Sequence, residues 1–223
     1  MVVVKAVLLD LDDTVYAYRI CKDYAMKACL AKISKKYGIE KSEAKRYFSY
    51  AREMVKKNAG NTGASHSRLL YFKNLTEAIE GRTNGSFSLA LDELFWKKYL
   101  PKMKLRDGAM DFIKACRKSK VKVCIVTNLT TQIQLEKLKK LGIADFVDFV
   151  VTSEEAGAEK PNLKIMELAL EKTGVKKNHV IFAGDEDDSE AARAFGINFF
   201  DAKKHGFSDI IEKIKKNESG EKH

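Results

Sequence analysis

Proline is scarce in this chain, at two of 223 residues, and no run of 18 uncharged apolar residues occurs in it. The second absence excludes a hydrophobic helix able to cross a bilayer. The N-terminus runs from one lysine into acidic residues and carries no small-residue cleavage site, so no secretory signal is expected. Cysteine occurs four times, as Cys21, Cys29, Cys116 and Cys124, with no CxxC pair and no histidine at metal-binding spacing. Cys116 and Cys124 fall in apolar segments, where a buried free thiol is the expected state. Reduced thiols without an export signal predict a cytoplasmic protein.

A concentrated basic stripe is also missing. The net charge is +10, but the lysines come as scattered pairs, among them Lys35-Lys36, Lys97-Lys98, Lys139-Lys140 and Lys203-Lys204. No stretch combines basic and aromatic residues as an RNA-binding surface would, which argues against nucleic acid as a partner. The charge reads instead as a lysine-rich surface of the kind enriched in heat-adapted proteins, and it favours the approach of anionic small molecules.

Hydrophobic residues make up 45% of the chain, enough for a core in one large or two small domains. Residues 2–9 form an apolar, β-branched run that reads as a buried parallel strand, and it ends in Asp10-Leu11-Asp12-Asp13-Thr14. Carboxylates so placed lie at the carboxyl edge of a sheet, where open α/β folds bind their ligands. Adjacent carboxylates suit a hard cation such as Mg²⁺, and one can act as nucleophile and another as proton donor. In isolation the same five residues would also fit a solvated surface turn. Three later segments repeat the pattern of chemistry at a strand end. Residues 121–126 end in Thr127-Asn128; Lys160-Pro161 follows the strand-like run 146–151; residues 180–183 end in Gly184-Asp185-Glu186-Asp187-Asp188.

Between Tyr16 and Leu100 no segment alternates like a strand. Helical spacing is found over 20–37, 42–56, 65–79 and 87–99, with Ser42 and Ser65 as candidate N-caps. From Asp107 onward helix and strand alternate, which predicts a parallel sheet with helices on both faces. Gly142, Gly174 and Gly196 stand where left-handed glycines close helices. The expected fold is α/β, a doubly wound parallel sheet with a Rossmann-like core over 1–15 and 101–216 and a separate small helical domain over 16–100. The polar residues 217–223 are expected to form a disordered tail.

Taken in order, the four strand-end segments resemble the signature motifs of the haloacid dehalogenase superfamily, whose most common members are Mg²⁺-dependent phosphatases. Asp10, Asp12 and Thr14 match the first motif, Thr127 the second, Lys160 the third, and Gly184, Asp185 and the following acids the fourth. The resemblance covers residues 1 to about 15 and about 105 to 210. It implies that Asp10 attacks phosphorus to form a phosphoaspartate. Asp12 would protonate the leaving alkoxide and then activate water. Thr127, the Asn128 amide and Lys160 would hold the phosphoryl group, and Mg²⁺ would be bound by Asp10, the Asp12 carbonyl and Asp185. The helical insert looks like the cap that many members carry between the first two motifs.

The fourth motif departs from the family pattern. Glu186 replaces the usual serine, and Asp188, three residues past Asp185, is the expected second metal-site acid, with Asp187 close behind. In the helical insert, His66 and Arg68 are candidate contacts for an anionic leaving group, with a solvated helix face as the alternative. The resemblance therefore implies a phosphatase acting on a small phosphorylated metabolite. A phosphomutase and a catalytically silent binding protein are alternatives; a 2-haloacid dehalogenase is disfavoured by Asp12.

Overall fold

A computed structural model describes residues 3–220, so Val2 of the expected first strand and residues 221–223 of the expected tail lie outside the described residues. The chain divides into two compact units: the residues up to Ala17 together with those from Lys104 onward, and Tyr18–Met103.

The second unit is helical: α1 (Tyr18–Tyr37), α2 (Lys41–Ala59), α3 (Arg68–Glu80) and α4 (Gly85–Tyr99). Helix α1 buries Cys21, Ala25, Cys29 and Ile33, a seam repeating every fourth residue. Ile20 and Tyr24, the large apolar residues that open the helical run 20–37, are 66% and 45% exposed, so the buried face lies one residue round from the one they would mark. Small side chains explain the turn. They let α1 approach α4 closely enough for the Cys29 thiol to reach the Leu91 carbonyl at 3.6 Å and the Lys32 ammonium to reach that of Ala90 at 3.3 Å. Helix α3 starts later than expected, because Gly63–His66 first forms a 3-10 turn and buries Ser65. Its N-cap is Ser67, whose hydroxyl accepts from the Leu70 amide at 3.3 Å. Helix α2 likewise starts before Ser42, with Glu40 at the cap position. The unit's core is aromatic: Phe95 meets Phe72, Trp96 and Tyr99 at centroid distances of 6.3, 4.9 and 5.5 Å.

The first unit holds β1 (Ala6–Leu9), β2 (Lys122–Thr127), β3 (Phe149–Thr152), β4 (Val180–Gly184) and β5 (Asn198–Asp201) in one parallel sheet of order β3-β2-β1-β4-β5. Its helices are α5 (Ala109–Lys118), α6 (Thr131–Leu141), α7 (Ser153–Ala156), α8 (Leu163–Thr173), α9 (Ser189–Phe195), α10 (Ala202–His205) and α11 (Phe207–Gly220). Strand β3 begins later than the run 146–151 suggested, because Ala144–Phe146 forms a 3-10 turn. Helix α11 continues through 217–220, where a disordered tail was expected.

Strand β1 is buried at every residue, which is why it reads as an unbroken apolar run. Its even-numbered side chains Ala6 and Leu8 join Val126, Phe182 and Val180 under Ile165, Met166 and Ala169 of α8 and Ala192 and Phe195 of α9. The opposite face is covered by α5, whose Phe112 stacks on Phe207 of α11 at 5.4 Å. Leu9, the last residue of β1, pairs with Ile125 on one side and Ala183 on the other, so β2 runs on to Thr127 and β4 to Gly184 beside the residues that follow β1. The strand order reverses between β1 and β4, and such a reversal opens a crevice at the carboxyl edge. Gly142, Gly174 and Gly196 close α6, α8 and α9 at φ of 70, 63 and 70°.

Candidate active site

Every strand-end residue read from the sequence is at that carboxyl edge. Asp10 directly follows β1, and its amide continues the ladder by donating to the Ala183 carbonyl at 2.9 Å. Its carboxylate is nearly buried and is gripped on both oxygens. Thr14 Oγ1 donates to Oδ2 at 2.7 Å and Lys160 Nζ to Oδ1 at 2.6 Å. Burial pushes the Asp10 pKa up to about 7; Lys160 opposes the rise and the nearby charge of Asp188 adds to it. Burial works against the Lys160 charge, but Asp10 and Asp188 outweigh it and hold the ammonium protonated above the usual lysine range.

Asp188 is buried, whereas Glu186 and Asp187 are exposed, so the shortened loop turns Asp188 inward. Its Oδ1 lies 2.7 Å from Lys160 Nζ, and its Oδ2 is buried without a hydrogen-bond partner. Gly184 makes room for it: a Cβ on Gly184 would stand 2.4 Å from that Oδ2. Asp185 caps the turn after β4, its Oδ1 accepting from the Asp187 amide at 3.2 Å. Burial and the Asp188 charge raise the Asp185 pKa, while Lys203 lowers it.

Asp12 is held by different partners. Lys137 Nζ lies 2.7 and 2.8 Å from its two oxygens, Gln134 Nε2 donates to Oδ2 at 3.2 Å, and the Tyr16 hydroxyl donates to Oδ1. Burial pushes the Asp12 carboxyl up, but the Lys137 ammonium and these hydrogen bonds outweigh it and hold it below the usual carboxylate range. Gln134 Nε2 also reaches Thr127 Oγ1 at 2.6 Å and the Asn128 carbonyl at 2.9 Å. Asn128 has a further role: its Oδ1 accepts from the Lys160 amide at 2.9 Å, tying the Lys160 loop to the end of β2.

Asp13, between the two site carboxylates and Thr14, has φ of 69°, the left-handed turn that aspartate tolerates better than most residues. Arg106 Nη2 donates to its carbonyl at 3.0 Å, and Lys203 Nζ lies 2.9 Å from its Oδ2 and 3.4 Å from Asp185 Oδ2. A cavity of about 590 Å³ opens here, lined in part by Asp13, Asp185, Lys203 and Lys204.

Sequence reading missed Gln134, Lys137, Arg106 and Lys203. Gln134 and Lys137 lie on α6 with Leu138 and Leu141 at spacings of three, one and three residues, an inward seam, while Leu135 is 49% exposed. No hydrophobicity pattern reveals a buried lysine. His66 and Arg68 belong to the helical unit, both half-buried. Arg68 donates to the His66 carbonyl at 3.0 Å and to the Tyr18 hydroxyl at 2.5 Å, and lies over the rings of Tyr71 and Phe95 at 5.2 and 5.5 Å.

The donors suit a hard divalent cation. Asp10, Asp185 and Asp188 offer oxygens only, the Asp188 charge raises the proton affinity of Asp10 and of Asp185, and Asp188 Oδ2 is unsatisfied. Among the described residues no three His, Cys, Asp or Glu side chains converge closely enough to hold an ion alone. A small cation that keeps several waters and shares a substrate phosphate needs only one or two carboxylates.

A parallel sheet with paired acids, a threonine and a buried lysine at its carboxyl edge marks an α/β protein whose reactive groups gather at one site. Comparison with known proteins makes this specific: residues 4–196 match the model of the haloacid dehalogenase-like hydrolases, and the chain belongs to that family. Within it the chain is a phosphatase-type enzyme. It is 36% identical over 193 residues to the ribulose-1,5-bisphosphate 5-phosphatase of Halopiger xanaduensis, covering 86% of this chain and 81% of the relative. It is 30% identical over 188 residues to the glyceraldehyde 3-phosphate phosphatase of Methanopyrus kandleri, covering 84% and 78%. The solved structure of a HAD (haloacid dehalogenase) phosphatase from Thermococcus onnurineus superimposes with a TM-score of 0.69 at 25% identity, covering 87% of this chain and 84% of that one. No helix among the described residues is long and apolar enough to cross a membrane.

Proposed function

We propose that the protein is a cytoplasmic, Mg²⁺-dependent phosphatase of a small phosphorylated sugar and that Asp10 carries the phosphoryl group between two half-reactions. The observation that carries this reading is the Lys160 ammonium, 2.6 Å from Asp10 Oδ1 and 2.7 Å from Asp188 Oδ1, inside a buried cluster of acids. The names of the relatives support a sugar phosphate as substrate.

Mg²⁺ would be held by Asp10, the Asp12 carbonyl and Asp185, with Asp188 beside them, and would neutralise phosphate charge that otherwise repels a carboxylate. In the first half-reaction an Asp10 oxygen attacks phosphorus, the phosphorus–ester oxygen bond breaks, and the leaving alkoxide takes a proton through Asp12. Thr127 and Lys160 stabilise the charge that spreads over the transferring phosphoryl group. In the second half-reaction water gives a proton to Asp12 and attacks phosphorus. The bond to Asp10 then breaks, releasing phosphate and regenerating the carboxylate.

The test is turnover of a panel of sugar phosphates, including ribulose 1,5-bisphosphate and glyceraldehyde 3-phosphate, with Mg²⁺ and with chelator. Metal-dependent release of inorganic phosphate is expected, together with an acid-stable phosphate on Asp10 in quenched enzyme. A rearranged phosphate ester without free phosphate would make the enzyme a mutase. Phosphate on another residue would remove Asp10 from this role.

A further inference from the structure

Helix α6 places two polar side chains where an amphipathic helix normally buries hydrocarbon. Gln134 and Lys137 are both completely buried and share an inward face with Leu138 and Leu141. Removing a lysine ammonium from water costs several kcal/mol, and a buried ion pair repays that only with good geometry; an apolar residue of the same volume usually serves stability as well or better. Stability alone therefore does not account for Lys137. Its geometry does point somewhere: both Asp12 oxygens lie within 2.8 Å of Nζ, and the ammonium stands 6.0 Å from the centroid of the Tyr16 ring, whose hydroxyl bonds the same carboxylate.

The two acids of the first motif thus have separate counter-ions. Lys160 serves Asp10 from the loop between α7 and α8, and Lys137 serves Asp12 from α6. A flexible aspartate with one buried ammonium nearby would be drawn to it; with two, each carboxylate stays in its own place. The Asp12 side chain nevertheless keeps 25% of its surface open, whereas that of Lys137 keeps 1%. The clamp is buried and the clamped group faces outward. Gln134, one turn earlier, adds a link: its Nε2 stands 2.6 Å from Thr127 Oγ1, 2.9 Å from the Asn128 carbonyl and 3.2 Å from Asp12 Oδ2, three acceptors for its two hydrogens. The shortest of these falls on Thr127, and a threonine oxygen that accepts from Gln134 turns its own proton elsewhere, as a phosphoryl ligand requires.

We propose that Lys137, assisted by Gln134, is a positioning residue that fixes the Asp12 carboxylate at the point from which it exchanges protons with the leaving oxygen and with water. The role rests on the reading of Asp12 given above, and it is separable from it. Fixing such a group is worth a large part of general acid–base catalysis, about 10²–10⁴-fold.

The experiment compares wild type, Lys137→Met, Asp12→Asn and the double variant on a sugar phosphate and on 4-nitrophenyl phosphate, whose leaving group departs without a proton. Lys137→Met is expected to lower kcat on the sugar phosphate about 100-fold with KM changed less than about threefold. On 4-nitrophenyl phosphate it should keep a full burst of nitrophenolate, followed by slow turnover as the phosphoenzyme accumulates. In the Asp12→Asn background Lys137→Met should cost nothing further, because the lysine acts through the carboxylate. Lys137→Arg, which retains charge and donors, should restore part of kcat, and it carries the test should the methionine variant not fold. Loss of the nitrophenolate burst, a change confined to KM, or a further loss in the Asp12→Asn background would overturn the proposal. Wild type without metal-dependent phosphatase activity would overturn the functional reading instead, and unchanged kcat in Lys137→Met with an active wild type would overturn this one alone.

Discussion

Asp188 and Lys160 are joined at 2.7 Å, so the acid that closes the fourth motif meets the lysine of the third rather than standing free at the sheet edge. The other Asp188 oxygen is buried and unsatisfied. Asp188→Asn keeps the shape but removes the charge, leaving Lys160 to Asp10 alone. We expect the Mg²⁺ concentration for half-maximal activity to rise about 10–100-fold, the usual consequence of losing a charged neighbour of metal ligands. A metal titration of activity checks this, and an unchanged midpoint would leave Asp188 as a partner of Lys160 only.

Gly184→Ala should damage the site from behind. The new methyl would lie 2.4 Å from Asp188 Oδ2 and 2.8 Å from its Cβ, far inside contact distance. Overpacking of this sort costs about 1–3 kcal/mol. Thermal melting should show the loss, and adding Asp188→Ala, which removes the nearest clashing atom, should recover part of the stability while activity stays low.

Arg68→Ala is expected to loosen the helical unit. The guanidinium joins Tyr18 to the His66 carbonyl and covers two aromatic rings, contacts together worth about 1–2 kcal/mol. The melting temperature should fall, with kcat/KM on 4-nitrophenyl phosphate unchanged. A selective loss of kcat/KM on a sugar phosphate at constant melting temperature would instead mark Arg68, and His66 with it, as a substrate contact.

The thiols offer a pH test. Burial pushes Cys29, Cys116 and Cys124 each up to about 12, against an ordinary thiol value of 9.0. The folded protein keeps these protons where the unfolded chain loses them, so the stability they contribute is full below pH 9 and is lost as pH rises towards 12. Each adds a slope of up to about 1.4 kcal/mol per pH unit in that window. Urea midpoints should drop steeply above pH 9, and less so in Cys→Ala variants. At pH 8 a thiol reagent should label these cysteines only as fast as the protein opens.

The α/β core was legible because parallel strands buried on both faces are written as plain apolar runs, and because reactive residues follow three of them at once. Thr127 and Asp185 were found at strand ends for that reason, whereas Lys160 lies beyond α7 in the loop before α8. The helical unit was legible as helix but not in its orientation, since Cys21, Ala25 and Cys29 are weaker signals than Ile20 and Tyr24 yet fit a tight helix contact better. Lys137 and Gln134 were invisible: on a helix rich in lysine, a buried ammonium looks like any solvated one until its partner Asp12 is seen beside it. The Asn128 side chain was hidden in the same way, its value set by a loop far along the chain.

The fit of Gly184 against Asp188 imposes an order on sequence change. Asp188 can shrink while Gly184 stays as it is, and only the site's charge is lost. Gly184 cannot acquire a methyl without displacing Asp188, whose Cβ at 2.8 Å is in the way as well as its Oδ2 at 2.4 Å. Shortening the acid therefore relieves only part of the crowding, and a side chain at 184 also has to shift the start of the loop after β4. Positions 184 and 188 are in this way free to vary in one direction only: the acid can be lost with the glycine kept, whereas a larger residue at 184 disturbs the acid at once.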